Sequence, residues 1–81
     1  MNKILLVDDD RELTSLLQEL LDLEGFSVVV AHDGEQALEL LDSSIDLLLL
    51  DVMMPKKNGI DTLKEVRQHH QTPVIMLTAR G

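Results

Sequence analysis

Two stretches of this 81-residue chain carry side chains that could do chemistry: Asp8-Asp9-Asp10 and, far along the chain, Asp51. The hydroxyl of Thr78 is a further candidate, because it too directly follows an apolar run. Gathered carboxylates can act as acids or bases, as nucleophiles, or as ligands of a hard, oxygen-seeking cation. Three in one place repel one another unless a cation joins them. The simplest reading of any one such aspartate is a strand-ending residue that caps a turn. Whether these residues meet depends on the elements that carry them.

Each candidate ends an unbroken apolar run. Ile4-Leu5-Leu6-Val7 precedes Asp8, Leu47-Leu48-Leu49-Leu50 precedes Asp51, and Val74-Ile75-Met76-Leu77 precedes Thr78. Runs of this length without alternation fit strands buried on both faces, as in a parallel sheet covered by helices. Pro55 and Gly59 close the Ile45–Leu50 segment too soon for a buried helix. Val28-Val29-Val30-Ala31, β-branched and apolar, reads as one more strand.

Helical patterns lie between the strands. Leu13, Leu16, Leu17, Leu20 and Leu21 fall at three- and four-residue spacing and predict one apolar stripe. Asp9 or Asp10 can cap its start, with Glu12 three residues after Asp9 as in a capping box. Gly25 suits the left-handed position that closes a helix, with Phe26 just beyond. Asp33 can cap a second helix, with Gln36 three residues on and Ala37, Leu38 and Leu41 as its inner stripe. Ile60, Leu63 and Val66 mark a third helix, and Thr72-Pro73 breaks the chain before the last strand.

The order β-α-β-α-β-α-β predicts an α/β layer fold with a parallel sheet. In such sheets ligands bind outside the carboxyl ends of the strands, where strand order reverses. Right-handed crossovers restrict the possible orders. With the first strand central, the second on one side and the third on the other, Asp8, Asp9 and Asp51 meet, with Thr78 at the same edge. A divalent Mg2+ fits such a group, since it typically uses one or two carboxylates, waters and a phosphate.

Composition excludes other classes. The net charge of −8 and a single aromatic, Phe26, argue against nucleic acid as a partner of this segment. There is no cysteine, hence no disulfide framework or thiolate metal site. Four apolar residues after Met1-Asn2-Lys3 are too few for a signal-peptide core, and no run approaches a membrane span. A soluble, cytoplasmic protein without membrane contact is expected. The four glycines form no phosphate-cradling loop, and Asp8-Asp9-Asp10 after the first strand would repel a flavin phosphate. His32, His69 and His70 show no ligand spacing and are expected at the surface.

Taken together, Val7-Asp8-Asp9, Asp51-Val52-Met53-Met54-Pro55, Gly59 and Leu77-Thr78-Ala79 resemble the receiver domain of bacterial two-component response regulators, in its winged-helix transcription-factor branch. The resemblance runs through all 81 residues. It implies a flavodoxin-like (CheY-like) doubly wound parallel sheet of strand order 2-1-3-4, here a truncated (βα)3β. It implies that Asp51 is the phosphoacceptor, taking a phosphoryl group from a phosphohistidine on a sensor histidine kinase. Asp9 and Asp51 would ligate Mg2+ directly, Asp8 directly or through water, and the main-chain carbonyl of Met53 would complete the protein ligands. Thr78 would hydrogen-bond the phosphoryl group and shift on activation, while Pro55 and Gly59 would shape the loop over the site. The implied function is a switch, not an enzyme beyond self-catalysed phosphorylation and dephosphorylation.

Two alternatives stand beside it. An aspartyl-nucleophile phosphatase resembles D-x-D at the nucleophile, but the second position here is Met53. A fragment without phosphorylation competence is the other. A complete receiver continues through a fourth helix, a fifth strand and a fifth helix. That part holds a phosphoryl-contacting lysine, whose place Lys56 and Lys57 do not match, and regulation of transcription needs a DNA-binding domain beyond it. Residues 1–81 are therefore expected to be the N-terminal portion of a receiver. Its fourth strand is expected to be an open edge beside a partly bare sheet face. Such a chain is expected to self-associate, swap elements or complement another polypeptide.

Overall fold

The computed structural model describes residues 2–52 and 58–77. In chain order the elements are β1 (Lys3–Val7), α1 (Arg11–Leu23), β2 (Ser27–Ala31), α2 (Gly34–Leu40), β3 (Leu47–Asp51), α3 (Gly59–His69) and β4 (Val74–Leu77). The strands form one parallel sheet in the order β2-β1-β3-β4, the order that the family resemblance implies and that right-handed crossovers allow. This is the α/β architecture expected from the alternating pattern.

Register explains why the runs are continuous. Val29, Leu5, Leu48 and Val74 form one cross-strand row, and Ala31, Val7, Leu50 and Met76 the row above it. Both rows pack with Ala37 and Leu38 of α2 and Leu63 and Val66 of α3 in one core. The alternate residues Ile4 and Leu6 are buried on the opposite face, which carries α1. Leu5, Leu6, Leu48 and Leu50 are fully buried, and truncating any of them to alanine costs about 2–5 kcal/mol.

Local chemistry places the helix ends. Asp10, not Asp9, caps α1: its side chain accepts from the Leu13 amide at 3.0 Å. Glu12 falls in the first turn, where its charge suits the helix dipole. The helix closes as expected at Gly25, which has φ +94°. There the Phe26 amide donates to the Leu21 carbonyl and the Gly25 amide to Asp22, satisfying two carbonyls left over at the helix end. Asp33 caps α2 through the Gln36 amide, and Asn58 caps α3 through the Asp61 amide.

Two helical stripes differ from expectation. Of the α1 leucines only Leu17 and Leu21 are half-buried, beside the buried Thr14, whereas Leu13, Leu16 and Leu20 are 40–53% exposed. The leucines span nearly half the helix circumference, and α1 lays only one flank of that arc on β1 and β2. The other flank, Leu13-Leu16-Leu20-Leu23, forms an exposed ridge. In α3 the inward positions are Gly59, Thr62 and Val66, with Leu63 partly buried against the core, and Ile60 is exposed. On the α1 face the row Leu6, Leu49 and Ile75 runs from fully buried to 50% exposed towards β4. Among the described residues β4 pairs with β3 alone.

Candidate functional site

All four strands run the same way, so their carboxyl ends share one edge. Val7 is in register with Leu50, which puts Asp8 and Asp51 on the next rung of neighbouring strands. Asp51 is the last residue of β3 and Asp8 the first beyond β1; they are 5% and 7% exposed, and Asp9 beside them is exposed. Carboxylate oxygens of Asp8, Asp9 and Asp51 all lie within 4.8 Å of one another. Among the described residues this is the one cluster of three or more potential metal-ligating side chains.

Hydrogen bonds hold the cluster's backbone. The Asp8 amide donates to the Ala31 carbonyl at 3.1 Å, extending the β1–β2 ladder by one residue. The Asp10 amide donates to Asp8 Oδ1 at 3.0 Å, folding the Asp8–Asp10 turn that leads into α1. On the other strand, the Val52 amide donates to the Leu77 carbonyl and the Gly59 amide to the Val52 carbonyl, each at 2.9 Å. The start of α3 and the end of β4 thus clamp the peptide following Asp51.

Burial and neighbouring carboxylates act together on Asp8. Burial pushes the Asp8 carboxyl above the usual carboxylate range; the Asp10 amide opposes this, and the charges of Asp51, Asp9 and Asp10 add to it. A group of three oxygens, two of them buried, is the donor set of a hard divalent cation. An octahedral ion with bonds of about 2.0–2.1 Å spans up to roughly 4.2 Å between opposite oxygens. The three oxygens are close enough together for one such cation to be shared, and their donor chemistry fits Mg2+.

His32 departs from the surface reading. It is half-buried, and its Nδ1 donates to the main-chain carbonyl of Asp8 at 3.1 Å. Its own amide donates to Gln36 Oε1 at 2.7 Å, tying the end of β2 to the acidic turn. The signal was its position directly after the second strand, at the same sheet edge as the aspartates. His69 is exposed and His70 half-buried. Met53, Pro55, Lys56, Lys57 and Thr78, singled out in the sequence, lie outside the described residues.

The chain matches the response regulator receiver domain family over residues 4–81. It belongs to that family: it is receiver-domain sequence of a two-component response regulator. It is 89% identical, over its whole length, to the transcriptional regulatory protein CpxR of Klebsiella pneumoniae, and 88% identical to CpxR of Escherichia coli K12. The chain spans about 35% of the length of these relatives. Among solved structures it is similar to the response regulator TrrA of Thermotoga maritima in complex with Mg2+ and BeF. That match has a TM-score of 0.91 and 36% identity, covering 100% of this chain and 72% of that one. TrrA in complex with the histidine kinase ThkA matches with a TM-score of 0.90 and the same identity and coverage.

Proposed function

We propose that this chain is the phosphoryl-accepting portion of a two-component switch and that Asp51 is the acceptor. The observation that carries this is the convergence of Asp8, Asp9 and Asp51 at the carboxyl edge of the sheet. An Oδ of Asp51 forms a new O–P bond as the P–N bond of a phosphohistidine on a sensor histidine kinase breaks. The electron pair stays on the imidazole nitrogen, which takes up a proton. Bound Mg2+ supplies neutralisation of phosphoryl charge, and phosphoryl transfer is chiefly positioning and charge neutralisation. Asp8, Asp9 and Asp51 would hold it with the Met53 carbonyl, and Thr78 would hydrogen-bond the transferred group. Support for the metal and the kinase comes from TrrA, solved with Mg2+ and BeF and with a kinase.

In this reading residues 1–81 are the N-terminal portion of a receiver that acts in the cytoplasm on transcription, through a DNA-binding domain beyond it. The exposed leucine ridge and the β4 edge support association of the isolated chain with itself or with a complementing polypeptide. No helix among the described residues is long and apolar enough to cross a membrane. The test uses this sequence extended by the remainder of the Klebsiella relative's receiver. Acetyl phosphate with Mg2+ should add one phosphoryl group by intact mass, and Asp51→Ala should abolish the addition. An undiminished mass shift in that variant would remove Asp51 as acceptor.

A further inference from the structure

We infer that Gly59 is a positioning residue for Asp51, required because no side chain fits between the start of α3 and the end of β3. The inference rests on the reading of Asp51 and its neighbours as a Mg2+-dependent acceptor site. Two observations carry it. The first is steric: a Cβ at position 59 would overlap the Asp51 carbonyl oxygen and lie 2.7 Å from Val52 Cα and 3.1 Å from the Asp51 carbonyl carbon. All three are backbone atoms, which cannot swing aside as a flexible side-chain end could. The second is the hydrogen bond from the Gly59 amide to the Val52 carbonyl, 2.9 Å long, which draws the two segments together. Backbone angle is not the reason for this glycine. Among the described residues Gly25 is the glycine with positive φ, and Gly59 is the first residue of a regular helix.

The surroundings decide what would yield. Helix α3 is pinned by Thr62 and Val66, both buried in the core, and by the Asn58 cap. Strand β3 is held between β1 and β4 as far as Leu50 and Asp51. Between these held elements, the group that a Cβ at position 59 meets is the Asp51–Val52 peptide at the strand end. A methyl group at position 59 would turn that peptide and swing the Asp51 carboxylate away from Asp8 and Asp9. Gly59 thus acts through Asp51 and touches no ligand itself.

The test compares Gly59→Ala with Val66→Ala, a core truncation on the same helix, in the 81-residue chain. Mg2+ affinity is read by calorimetry and stability by thermal unfolding. Gly59→Ala should weaken Mg2+ binding by roughly tenfold or more, as loss of a ligand-orienting group does. Val66→Ala should change it by less than about twofold while lowering the melting temperature, since it removes core packing while Thr62 and the Asn58 cap still hold the start of α3 and no clash with the Asp51 backbone is introduced. Without metal, the Asp51 carboxyl carbon and Val52 amide resonances should move in Gly59→Ala and stay in place in Val66→Ala. Should the alanine variant unfold, the measurements are made in a stabilising osmolyte. The clash persists there and Mg2+ affinity stays weak, whereas a glycine needed only for folding would recover wild-type affinity. Wild-type affinity and unmoved Asp51 resonances in Gly59→Ala would overturn the inference, as would equal weakening by Val66→Ala. Failure of the wild-type chain to bind Mg2+ would instead refute the metal-site reading, and the metal-free resonances would still judge Gly59.

Discussion

Asp8 and Asp51 stand on the same rung of neighbouring parallel strands, one place beyond the Val7–Leu50 pair, and both are buried. Two like charges are held side by side by the register of the most apolar strands in the chain. Burial raises the Asp8 carboxyl, and the Asp51 charge raises it further. The ionised Asp8 carboxylate therefore costs stability that the core must offset. That cost is present at neutral pH and is relieved as pH falls through the raised folded value.

Replacing Asp8 by Asn keeps an oxygen for the Asp10 amide and removes one charge. The metal-free melting temperature should rise by roughly 2–5 °C at neutral pH. The advantage should shrink as the pH is lowered and Asp8 of the wild type takes up its proton. Added Mg2+ should stabilise the wild type and leave Asp8→Asn nearly unmoved. A variant that melts lower than the wild type without metal would contradict this.

Asp9→Asn should weaken Mg2+ binding by roughly tenfold. Asp10→Asn should leave it nearly unchanged, because Asp10 caps α1 and Asn caps as well as Asp. Equal losses in calorimetric titration would show that the wrong members of the triplet face the cation.

The triplet also shows how far sequence reasoning reached. The four strands were legible because each is a short apolar run, although only β1 and β3 are deeply buried; crossover handedness restricted the possible orders and the family resemblance implied 2-1-3-4. The meeting of Asp8, Asp9 and Asp51 followed from that order. What escaped was set by packing of one element on another. Leu13, Leu16 and Leu20 have the spacing of a core stripe, yet α1 rests on the flank carrying Leu17 and Leu21. Ile60 fits the stripe of α3, but Thr62 takes the buried place, its hydroxyl satisfied by the Asn58 carbonyl at 3.0 Å. His32 offers no ligand spacing, and only the sheet brings it to the Asp8 carbonyl.

Gly25 and Gly59 should respond differently to alanine. Nothing lies within 4 Å of a Cβ at Gly25, so Gly25→Ala meets only the penalty of its positive φ. That penalty is about 1–2 kcal/mol in denaturant unfolding, with Mg2+ affinity unchanged. Loss of Mg2+ affinity in Gly25→Ala would mean that the α1 terminus is coupled to the site.

At the opposite end of the sheet, the Ser44 hydroxyl and then its amide hold the Asp42 carboxyl below its usual value of 3.8, with help from the charges of Lys3 and His70. A lowered carboxylate adds stability above its unfolded value and loses it as pH falls through the folded value. Ser44→Ala should therefore move the Asp42 carboxyl resonance's titration upward. The small stability gap between wild type and variant should close as pH falls through the lowered folded value of Asp42. An unshifted titration would contradict the assignment to Ser44.

Leu13, Leu16, Leu20 and Leu23 of α1 and Ile75 of β4 are 40–79% exposed, and exposed apolar side chains that adjoin one another favour association. The isolated chain should bind a hydrophobic dye and sediment faster as concentration rises. Leu16→Ser with Leu20→Ser should reduce both effects while leaving the helix-rich spectrum in place. A compact wild-type monomer that unfolds cooperatively and binds no dye would show that the ridge is tolerated in water.

The most direct measurement is to locate the phosphoryl group itself. The extended chain is treated with acetyl phosphate and Mg2+, reduced with borohydride to convert an acyl phosphate to homoserine, and sequenced by mass spectrometry. Homoserine at position 51, and nowhere else, is the result that follows from Asp51 as acceptor with Asp8 and Asp9 as ligands. Homoserine at position 8 or 9, or at none of the three, would contradict it.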